Sequence, residues 1–474
     1  MSDKIVLLEL NEVPFRVLDE FCARQPRSTL ARCLARCQQF ETHAEDTGHL
    51  SPWITWPSVH RGVTNDCHGI ACFGEDLQPV DQRFPPFWQL LAERGISTGV
   101  FGSLHSYGSL PAFDSGNYAF YVPDTFAAGS ECFPKRLSAY QRFNLAMVEG
   151  SPRNVSSLIP WRPALAMLAQ APALGIQART LFDTGLQVLA ERIRSARRVR
   201  RRTYQALIAF DVFYRQLLST RPAFATFFTN HVASAMHRYW AARFPHDYST
   251  FGLGDDWVAT YKDEIDFSLR KLDGCLGRLV GFVDRNPEYQ LWITTSMGQA
   301  ATTAEPLASV LYLTNVAEFM RRLRVPGTAW SRRPAMAPDI NLVVAGAAAD
   351  GFEAALQQVT IAERPLEFRR GTGGLFSLRF GQPDLSRHQH YIQLAGKAIT
   401  AQELGLSNVS IDEQSSTTAY HIPQGMLLIY DPRRAAPAAG RTQISTLDIA
   451  PAILRRFAIP VPPYMRSSRL FAAA

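Results

Sequence analysis

Short apolar runs alternate with amphipathic segments along much of the chain, which is the pattern of an α/β fold. Lys4–Leu10 is almost continuously apolar, as expected for a strand buried on both faces of a parallel sheet. Pro86–Arg94 has apolar residues at helical spacing and ends at Gly95, and Ile96–Phe101 is apolar again. This strand–helix–strand order predicts an open, mostly parallel sheet flanked by helices.

The same pattern resumes after residue 220. The predicted strands there are Ala223–Thr229, Gln290–Thr295 and Gly425–Tyr430, and the predicted helices are Tyr261–Val283 and Thr446–Phe457. We therefore assign residues 1–120, 221–330 and 416–474 to one discontinuous α/β core.

Two segments interrupt this core. Residues 121–220 hold a proline-punctuated stretch followed by long helical periodicity over Thr180–Thr220, which predicts a helical cap. Residues 331–415 predict a smaller α/β insertion that begins with a strand at Ile340–Ala345 and a helix at Phe352–Val359. Neither segment carries a motif that we recognise. The apolar stretch Leu158–Ile176 leaves contact with a membrane surface open, and packing within the cap is the preferred interpretation.

Composition sets limits on the kind of protein this is. The 474 residues are 46% hydrophobic and 19% charged, so the chain can bury a large core and wholesale disorder is excluded. The net charge of +7 favours anionic partners. Arg192–Arg202 contains seven arginines, which predict either a solvated helix face or an anion-gripping cap. The run lacks interleaved aromatic residues, so nucleic-acid binding is not expected.

The N-terminal pattern and the cysteines bear on location. Residues 1–20 lack the basic and then apolar regions of a secretory signal, and no run of about 18 apolar residues occurs. A cytoplasmic location is therefore expected. The seven cysteines are too sparse for a disulfide framework. Cys33 and Cys37 have the i, i+4 spacing of a helix, and we interpret them as buried free thiols rather than as a metal pair.

Polar residues gather at the ends of the predicted strands, where open parallel sheets bind their ligands. Asn11 and Glu12 follow the first strand. Asn230 and His231 follow the strand that starts at Ala223, and Ser296 to Gln299 follow the strand that starts at Gln290. This placement predicts a ligand site at one edge of the sheet.

A hydroxyl group also falls at a position suited to anion chemistry. Thr55 precedes Pro57, and proline suits the first turn of a helix. A hydroxyl there would lie near the positive end of the helix dipole, which favours an alkoxide or a bound anion.

These segments, in this order and spacing, resemble the motifs of the alkaline phosphatase superfamily, and most closely its type I phosphodiesterase and nucleotide pyrophosphatase branch. The matching segments are VLLELNE at Val6–Glu12, ITWP around Thr55, TNHVASAMHRYW at Thr229–Trp240, LWITTSMGQ at Leu291–Gln299, and AYHIPQG around His421. The resemblance implies an alkaline-phosphatase-like fold. It also implies that Thr55 is the nucleophile and that two zinc ions assist it.

The residues that match the family's metal ligands are mostly different here. Asn11 stands where the family has its first aspartate, and Ser296 and Met297 replace the aspartate and histidine of Ser-Asp-His-Gly. Asn230 replaces the aspartate of the third motif, whose histidine corresponds to His237 at a longer spacing or to the nearer His231. His421 matches the last metal-binding histidine, and the supporting asparagine of the nucleotide pyrophosphatases falls near Phe73.

One zinc site of the family is therefore not expected. The other retains His421 and His237, with Glu12 or Glu9 available as a carboxylate, and it predicts either one divalent metal, zinc or manganese, or none. We predict catalytic roles for Thr55, His237 and His231. The residues predicted to bind substrate are Asn11, Glu12, Asn230, Ser296 and Gln299.

Three functions remain open from the sequence. The preferred one is a divergent phosphodiesterase-like enzyme that hydrolyses or transfers a phosphoester or a related anionic group through Thr55. The second is a metal-free group transferase of glycan or natural-product biosynthesis with a phosphorylated or nucleotide-linked donor. The third is a non-catalytic binding protein on the same fold. The sequence does not determine the substrate, the choice between hydrolysis and transfer, or the oligomeric state.

Overall fold

The computed structural model describes residues 4–107, 117–149, 154–156, 158–336, 338–380, 392–434 and 440–470. Within these ranges the strands are β1 Lys4–Leu10, β2 Gln38–His43, β3 Thr98–Phe101, β4 Tyr118–Val122, β5 Phe224–Thr229, β6 Tyr289–Thr294, β7 Gly298–Ala301, β8 Ser309–Leu313, β9 Trp330–Arg333, β10 Ile340–Val344, β11 Val359–Ile361, β12 Arg364–Pro365, β13 Glu367–Arg370, β14 Leu375–Arg379, β15 Ile392–Leu394, β16 Lys397–Ile399, β17 Leu406–Ser410, β18 Ala419–Ile422, β19 Gln424–Tyr430 and β20 Arg441–Ser445.

The α-helices of the same ranges are α1 Phe15–Arg24, α2 Thr29–Leu34, α3 Pro52–Arg61, α4 Asn65–His68, α5 Gln78–Arg83, α6 Phe87–Glu93, α7 Ser138–Glu149, α8 Trp161–Ala169, α9 Ala171–Leu174, α10 Ala178–Ile193, α11 Arg201–Thr220, α12 His231–Arg243, α13 Asp255–Tyr261, α14 Glu264–Arg285, α15 Val316–Arg322, α16 Ala348–Leu356 and α17 Ile449–Arg456. Among the helices so described, we find none with both the length and the apolar character needed to cross a bilayer.

A central eight-stranded sheet organises the structure, in the order β20-β2-β19-β6-β1-β5-β3-β4. The strands β6, β1, β5, β3 and β4 pair in parallel, as do β2 and β20. Only β19 runs against its neighbours β2 and β6 in this sheet as described. The predicted fold class, a mostly parallel sheet flanked by helices, is therefore confirmed.

Strand β1 lies at the middle of this sheet, and its side chains supply both cores. Val6, Leu8 and Leu10 belong to one apolar cluster, and Ile5 and Leu7 belong to the other. Successive residues of a strand point to opposite faces, so an almost continuous apolar run requires a helical layer on each side. Helix α14 packs on the first face, and α3, α6 and α17 supply much of the second. This arrangement fixes the carboxyl end of β1 at the centre of the molecule.

Of the strands in this sheet that the sequence pattern did not predict, β4 is apolar and mostly buried, whereas β2 and β20 are more polar. β2 reads Gln-Gln-Phe-Glu-Thr-His, and it is only partly buried over most of its length. β20 lies at the edge beside β2 and begins with three exposed residues. Their pairing depends on neighbours that are distant in sequence, so local alternation does not reveal it.

The segment predicted as an insertion packs around an apolar cluster that includes Leu342, Phe352 and Phe376, and β8 and α15 contribute Leu311 and Phe319 to the same cluster. Two small sheets belong to it, in the orders β13-β14-β10-β9 and β12-β11-β15-β16. Asn341 ties this unit to the rest of the chain by donating to the carbonyl oxygen of Phe73, at 2.6 Å. Arg369 adds an ion pair with Glu75, also at 2.6 Å.

Three arginines of the arginine-rich run Arg192–Arg202 form ion pairs within the protein. Arg198, Arg200 and Arg201 pair with Asp412, Glu264 and Glu191 respectively. These three arginines therefore hold helices and a loop together, and they are committed to internal partners.

The sequence prediction for Pro57 needs correction. Helix α3 begins at Pro52, so Pro57 lies inside the helix and Thr55 is one turn from its start. The proline at the first helical position is Pro52, which can be accommodated there because the first-turn N–H groups have no partner within the helix.

Candidate functional site

The carboxyl end of β1 leads into a turn that directs a buried carboxylate toward two histidines. Glu12 has φ of +58°, a left-handed conformation that residues other than glycine adopt rarely. Its side chain is almost fully buried. A left-handed non-glycine residue costs on the order of 1–3 kcal/mol and tends to occur at functional sites. The turn therefore points to Glu12 as the centre of the site.

His237 and His421 approach Glu12 from two different elements. His237 lies in the middle of α12, and His421 lies on β18. The Nε2 atom of His237 is 2.9 Å from Glu12 Oε2, and that of His421 is 3.4 Å from the same oxygen. Neither histidine is adjacent to Glu12 in sequence, so only the tertiary structure forms this cluster, which we call the Glu–His–His centre.

Backbone carbonyl groups fix the orientation of both rings. Nδ1 of His237 is 2.7 Å from the carbonyl oxygen of Ala419, and Nδ1 of His421 is 2.7 Å from that of Leu50. A carbonyl oxygen only accepts, so each Nδ1 carries a proton. In the neutral ring each Nε2 therefore presents a lone pair to the centre, which is the orientation found for metal-binding histidines.

The charges at the centre are strongly coupled. Burial by itself raises the pKa of the Glu12 carboxyl, but the imidazoles of His421 and His237 outweigh burial and hold that pKa well below its usual range. Burial by itself lowers the pKa of His421, and the Glu12 carboxylate outweighs it, so the pKa of His421 is raised. The carboxylate is thus charged and favours a positive charge beside it.

The Glu–His–His centre has the composition of a metal site. One ligand atom from each of Glu12, His237 and His421 lies within 4.8 Å of the others. Two imidazole nitrogens and one carboxylate oxygen are a set that zinc accepts, with a coordination position left for water or substrate. His237 keeps 24% of its side chain exposed, so the centre is accessible from outside.

Asn11 is the hub of a second layer of hydrogen bonds. Its Nδ2 donates to Glu12 Oε1 at 2.6 Å and to Asn230 Oδ1 at 2.8 Å, while its Oδ1 accepts from the indole of Trp56 at 2.7 Å. The amide positions Glu12 by donating to it, which an aspartate at the same place cannot do. Trp56 was missed by the sequence analysis, although it directly follows Thr55.

Gln299 completes the surroundings of the carboxylate. Its Nε2 donates to Glu12 Oε2 at 2.5 Å and to the carbonyl oxygen of Ala233 at 3.3 Å. Its Oε1 is buried and has no hydrogen-bond partner within the described residues. Four of the residues named from the sequence therefore contact Glu12, namely Asn11, His237, Gln299 and His421, and a fifth, Asn230, bonds to Asn11.

The threonine that resembles the family's nucleophile is sealed in the present conformation. Thr55 is fully buried, and its hydroxyl donates to Ser296 Oγ at 2.8 Å, with the carbonyl oxygen of Ser51 at 3.3 Å. Met297 is also fully buried. The residues at the position of the second zinc site offer no carboxylate and no imidazole. They are Thr55, Ser296, Met297 and Asn11, and the Asn11 amide is already hydrogen-bonded to Glu12, Asn230 and Trp56. These residues do not fit the family's second zinc ion.

His231 is not part of the Glu–His–His centre. It begins α12, it is buried, and its Nδ1 lies 2.7 Å from the hydroxyl of Thr229. Burial lowers the pKa of its imidazole to about 4. Glu9, the other carboxylate considered from the sequence, pairs instead with His60 at 3.0 Å, and both of these side chains are fully buried.

A cavity of about 290 Å³ adjoins the centre, between the start of α3 and the insertion. His49 connects the two, because it lines the cavity, lies 2.9 Å from the hydroxyl of Tyr420, and has its ring centroid 6.5 Å from that of His421. The insertion contributes Arg369 and Arg379 to the wall. These arginines were missed because nothing in the local sequence relates the insertion to the core.

The cavity also contains an unused hydrogen-bonding group. Ser51 lies directly before α3, is fully buried and lines the cavity, and its hydroxyl has no partner within the described residues. The start of a helix attracts anions through its dipole. The helix start, the Ser51 hydroxyl and the two guanidinium groups are together suited to an anionic group, although Arg369 pairs with Glu75, Arg379 pairs with Asp339 at 3.2 Å, and Glu367 also lines the wall.

Comparison with known proteins gives distant structural likenesses. No protein-family model matches the chain, and no curated protein sequence matches it. One similar structure is an inactive variant of murine ectonucleotide pyrophosphatase/phosphodiesterase 5 in complex with AMP. It is 9% identical to this chain with a TM-score of 0.42, and the alignment covers 98% of this chain and 97% of that one. Phosphonoacetate hydrolase from Sinorhizobium meliloti, in complex with phosphonoformate, is 13% identical with a TM-score of 0.41, covering 95% of each chain.

Both proteins are of the kind that the sequence motifs resemble, the nucleotide pyrophosphatase/phosphodiesterase-like part of the alkaline phosphatase superfamily. The identities and TM-scores are too low to transfer an activity or a ligand to this chain. The chemistry of the site is therefore argued from its own residues.

Proposed function

We propose that this chain is an enzyme that acts on a phosphoester or a related anionic group, and that the Glu–His–His centre binds one divalent metal ion, zinc or manganese. The observation that supports this most is the convergence of two imidazole Nε2 atoms on one carboxylate oxygen, with each Nδ1 held by a backbone carbonyl group. That arrangement presents three ligand atoms to one point.

The donor set suits these metals. Zinc binds imidazole and carboxylate ligands, and manganese also accepts carboxylate oxygen. When bound, such an ion polarises a phosphoryl oxygen and balances the charge that develops on it. Glu12, His237 and His421 would hold it, and Asn11 and Gln299 would keep the carboxylate in place through their amide donors.

The remaining residues supply binding and proton transfer. The cavity beside His49 receives the anionic group, with Arg379 and Ser51 as donors. Thr55 serves as the nucleophile in this proposal only if its hydroxyl turns away from Ser296, to which it now donates. If water is the nucleophile instead, Thr55 only holds Ser296 through its hydrogen bond. Attack by Thr55 predicts a covalent Thr55 ester, and attack by water predicts none.

A second candidate, metal-free group transfer, is favoured by one observation. With a proton on Nδ1 of His237, the 2.9 Å contact between its Nε2 and Glu12 is favourable only if Nε2 also carries a proton. An imidazolium–carboxylate pair of this kind is complete without a metal. The neutral Asn11 and Ser296 would then face a donor directly.

Metal content separates the two candidates. We expect purified wild type, loaded with zinc or manganese and then desalted, to retain about one ion per chain, and His421→Ala to retain far less, because the mutation removes one of three ligands. His246→Ala is the matched control, since His246 is exposed, lies beyond the end of α12 and is not a member of the cluster. Elemental analysis of the three proteins gives the result.

Activity is then measured on p-nitrophenyl phosphate and bis-p-nitrophenyl phosphate. Stoichiometric metal in wild type and in the His246 control, with loss of metal and of phosphoester hydrolysis in His421→Ala, supports the metal-dependent enzyme. Absence of retained metal in wild type under every loading condition contradicts it. Soaking with phosphorylated and nucleotide-linked donors then tests the second candidate.

A further inference from the structure

The exposed apolar side chains of this protein are concentrated on one helical segment. Eight of the ten large apolar side chains that are exposed in the described ranges lie between Leu158 and Ile193. Isolated exposed apolar residues are ordinary, but a set concentrated in one segment at helical spacing marks a surface that binds something. Helices α8 and α10 carry most of this set.

Helix α10 is amphipathic with its apolar side outward. Phe182, Leu186, Leu189 and Ile193 follow helical spacing, and they are exposed by 66%, 50%, 58% and 84% respectively. The side chains that α10 buries are polar, Gln187 and Glu191 among them. This reverses the usual arrangement of a surface helix, whose apolar stripe faces the core.

The polar contacts on the inner side hold α10 in this orientation. Gln187 donates to Glu191 and to the carbonyl oxygen of Arg197, at 3.0 and 2.8 Å. Glu191 pairs with Arg201 at 2.5 Å. Rotation of the helix to bury its leucines would break these bonds and leave buried polar groups unpaired, so the outward apolar face is built into the fold.

Helix α8 adds a second apolar stripe. Trp161, Leu165 and Leu168 have the same helical spacing, and they are exposed by 62%, 58% and 42%. Met167 is the buried residue of that helix. The preferred sequence interpretation, packing within the cap, therefore holds for Met167 and not for these three. We call the exposed stripes of α8 and α10 together the apolar face.

The charges around the apolar face have one sign. Arg162, Arg179, Arg192 and Arg194 are exposed on the same two helices and their flanks. None of the four makes an ion pair with another residue that the structure describes. The acidic residues of the segment are committed elsewhere: Glu191 is buried on Arg201, and Asp183 lies 3.7 Å from Lys271.

We propose that the apolar face docks on the surface of an anionic lipid membrane. Leucine, phenylalanine and tryptophan side chains would enter the boundary between headgroups and acyl chains, and the four arginines would contact lipid phosphates. A symmetric dimer through this face is less suitable, because it would bring the unpaired arginines of two copies together without any exposed carboxylate between them. The same charges favour a lipid surface over a neutral apolar partner.

Vesicle co-sedimentation tests the proposal with the purified full-length chain. We expect binding to phosphatidylglycerol/phosphatidylcholine vesicles and much weaker binding to pure phosphatidylcholine vesicles. Arg179→Gln/Arg192→Gln/Arg194→Gln should reduce binding to the anionic vesicles on the order of a hundredfold, since each basic residue near such a surface contributes roughly a factor of five. Raising the salt concentration should weaken the wild type and affect this variant less.

Leu186→Ser/Ile193→Ser tests the apolar contribution. Leu218→Ser/Met336→Ser is its matched control, since Leu218 and Met336 are exposed by 41% and 42% and belong to neither α8 nor α10. Loss of vesicle binding in the first variant and retention in the second support the proposal. All four positions are exposed, so thermal unfolding should be unchanged, and this is measured alongside.

Fluorescence quenching locates the contact. Lipids with a quencher in the upper acyl chain should quench Trp161, and Trp161→Phe should abolish most of this quenching while binding persists in part. Three results overturn the proposal: no sedimentation with anionic vesicles, sedimentation unaffected by the Leu186/Ile193 and arginine variants, or a concentration-dependent dimer that Leu186→Ser/Ile193→Ser dissociates. The last result assigns the face to a second copy of the chain.

Discussion

Two buried glutamates, Glu12 and Glu9, differ in whether solvent can reach the histidine that each one contacts. Both carboxylates bond to histidines from distant parts of the chain. Glu9 and His60 are fully enclosed, and His60 stacks on the ring of Trp56 and makes an edge-to-face contact with Trp88. Glu12 instead faces His237, which is partly exposed. A substrate can reach only the second pair, so the chemistry is assigned to Glu12.

The buried histidines make a prediction about acid stability. The folded-state pKa of His231 is about 4, below the ordinary value of 6.5, because burial disfavours the charged ring. The neutral ring therefore contributes stability above pH 6.5, and this contribution is lost as the pH falls from 6.5 toward 4. A shift of this size corresponds to roughly 2–4 kcal/mol.

His231→Asn should therefore reduce the loss of unfolding free energy between pH 7 and pH 4, although it lowers stability at neutral pH by removing the contact with Thr229. Urea unfolding of both proteins at several pH values measures this. Because His231 is outside the Glu–His–His centre, metal content should be unchanged. An unchanged pH slope together with lost metal would place His231 in the site after all.

At the level of elements, the antiparallel pair β7 and β18 sets the geometry of the site. Gln299 on β7 is directly opposite His421 on β18. The two residues approach Glu12 together, although more than a hundred residues separate them in sequence. A shift of this short pair would move a proposed metal ligand and the amide that holds the carboxylate at the same time.

Gly298 tests this dependence. A Cβ at Gly298 would lie 2.2 Å from the carbonyl oxygen of Gln424 and 3.2 Å from Cβ of Pro14. Gly298→Ala should therefore displace β7, lower the unfolding free energy by about 1–3 kcal/mol, and weaken metal retention. Thermal unfolding and metal titration measure both effects.

Gly274→Ala is the matched control, because Gly274 lies in α14 and a Cβ there meets no atom within 4 Å. The control should be neutral or slightly stabilising, since alanine favours the helix over glycine. Equal metal retention in wild type and Gly298→Ala would show that the β7–β18 pair does not position His421.

At the level of the whole molecule, the insertion completes the cavity that the core begins. Asn341 binds the carbonyl oxygen of Phe73, and Arg369 pairs with Glu75, so the two parts meet through specific polar contacts. Arg379 lines the same cavity as Ser51 and His49. A substrate held there would touch both parts of the chain.

Arg379→Gln should therefore weaken the binding of an anionic substrate without removing the reaction centre. We expect KM for the active p-nitrophenyl ester to rise about tenfold, as for loss of a charge-assisted hydrogen bond, with kcat and metal content little changed. Arg332→Gln is the control, since Arg332 is exposed on β9 in the same insertion and does not line the cavity. An unchanged KM in Arg379→Gln, or an equal change in both variants, would exclude a substrate role for the cavity.

Some of the site was predictable from single segments, and some was not. Asn11, Glu12, Asn230 and Gln299 were found because polar residues at the ends of apolar strands meet at one edge of a parallel sheet. Trp56 and the cavity arginines gave no such signal, since their roles depend on partners in other segments. The start of α3 was misplaced because Pro57 attracted the prediction, whereas Pro52 begins the helix.

The sequence by itself determined the α/β class, the position of the candidate site at the strand ends, and the lack of residues that match the second zinc site of the family it resembles. These follow from local periodicity and residue identity, which act over a few residues. The tertiary structure alone decided that Glu12, rather than Glu9, meets His237 and His421, because only the turn at Glu12 directs its carboxylate toward α12 and β18. It also decided that α10 faces outward, because buried partners for Gln187 and Glu191 fix its rotation.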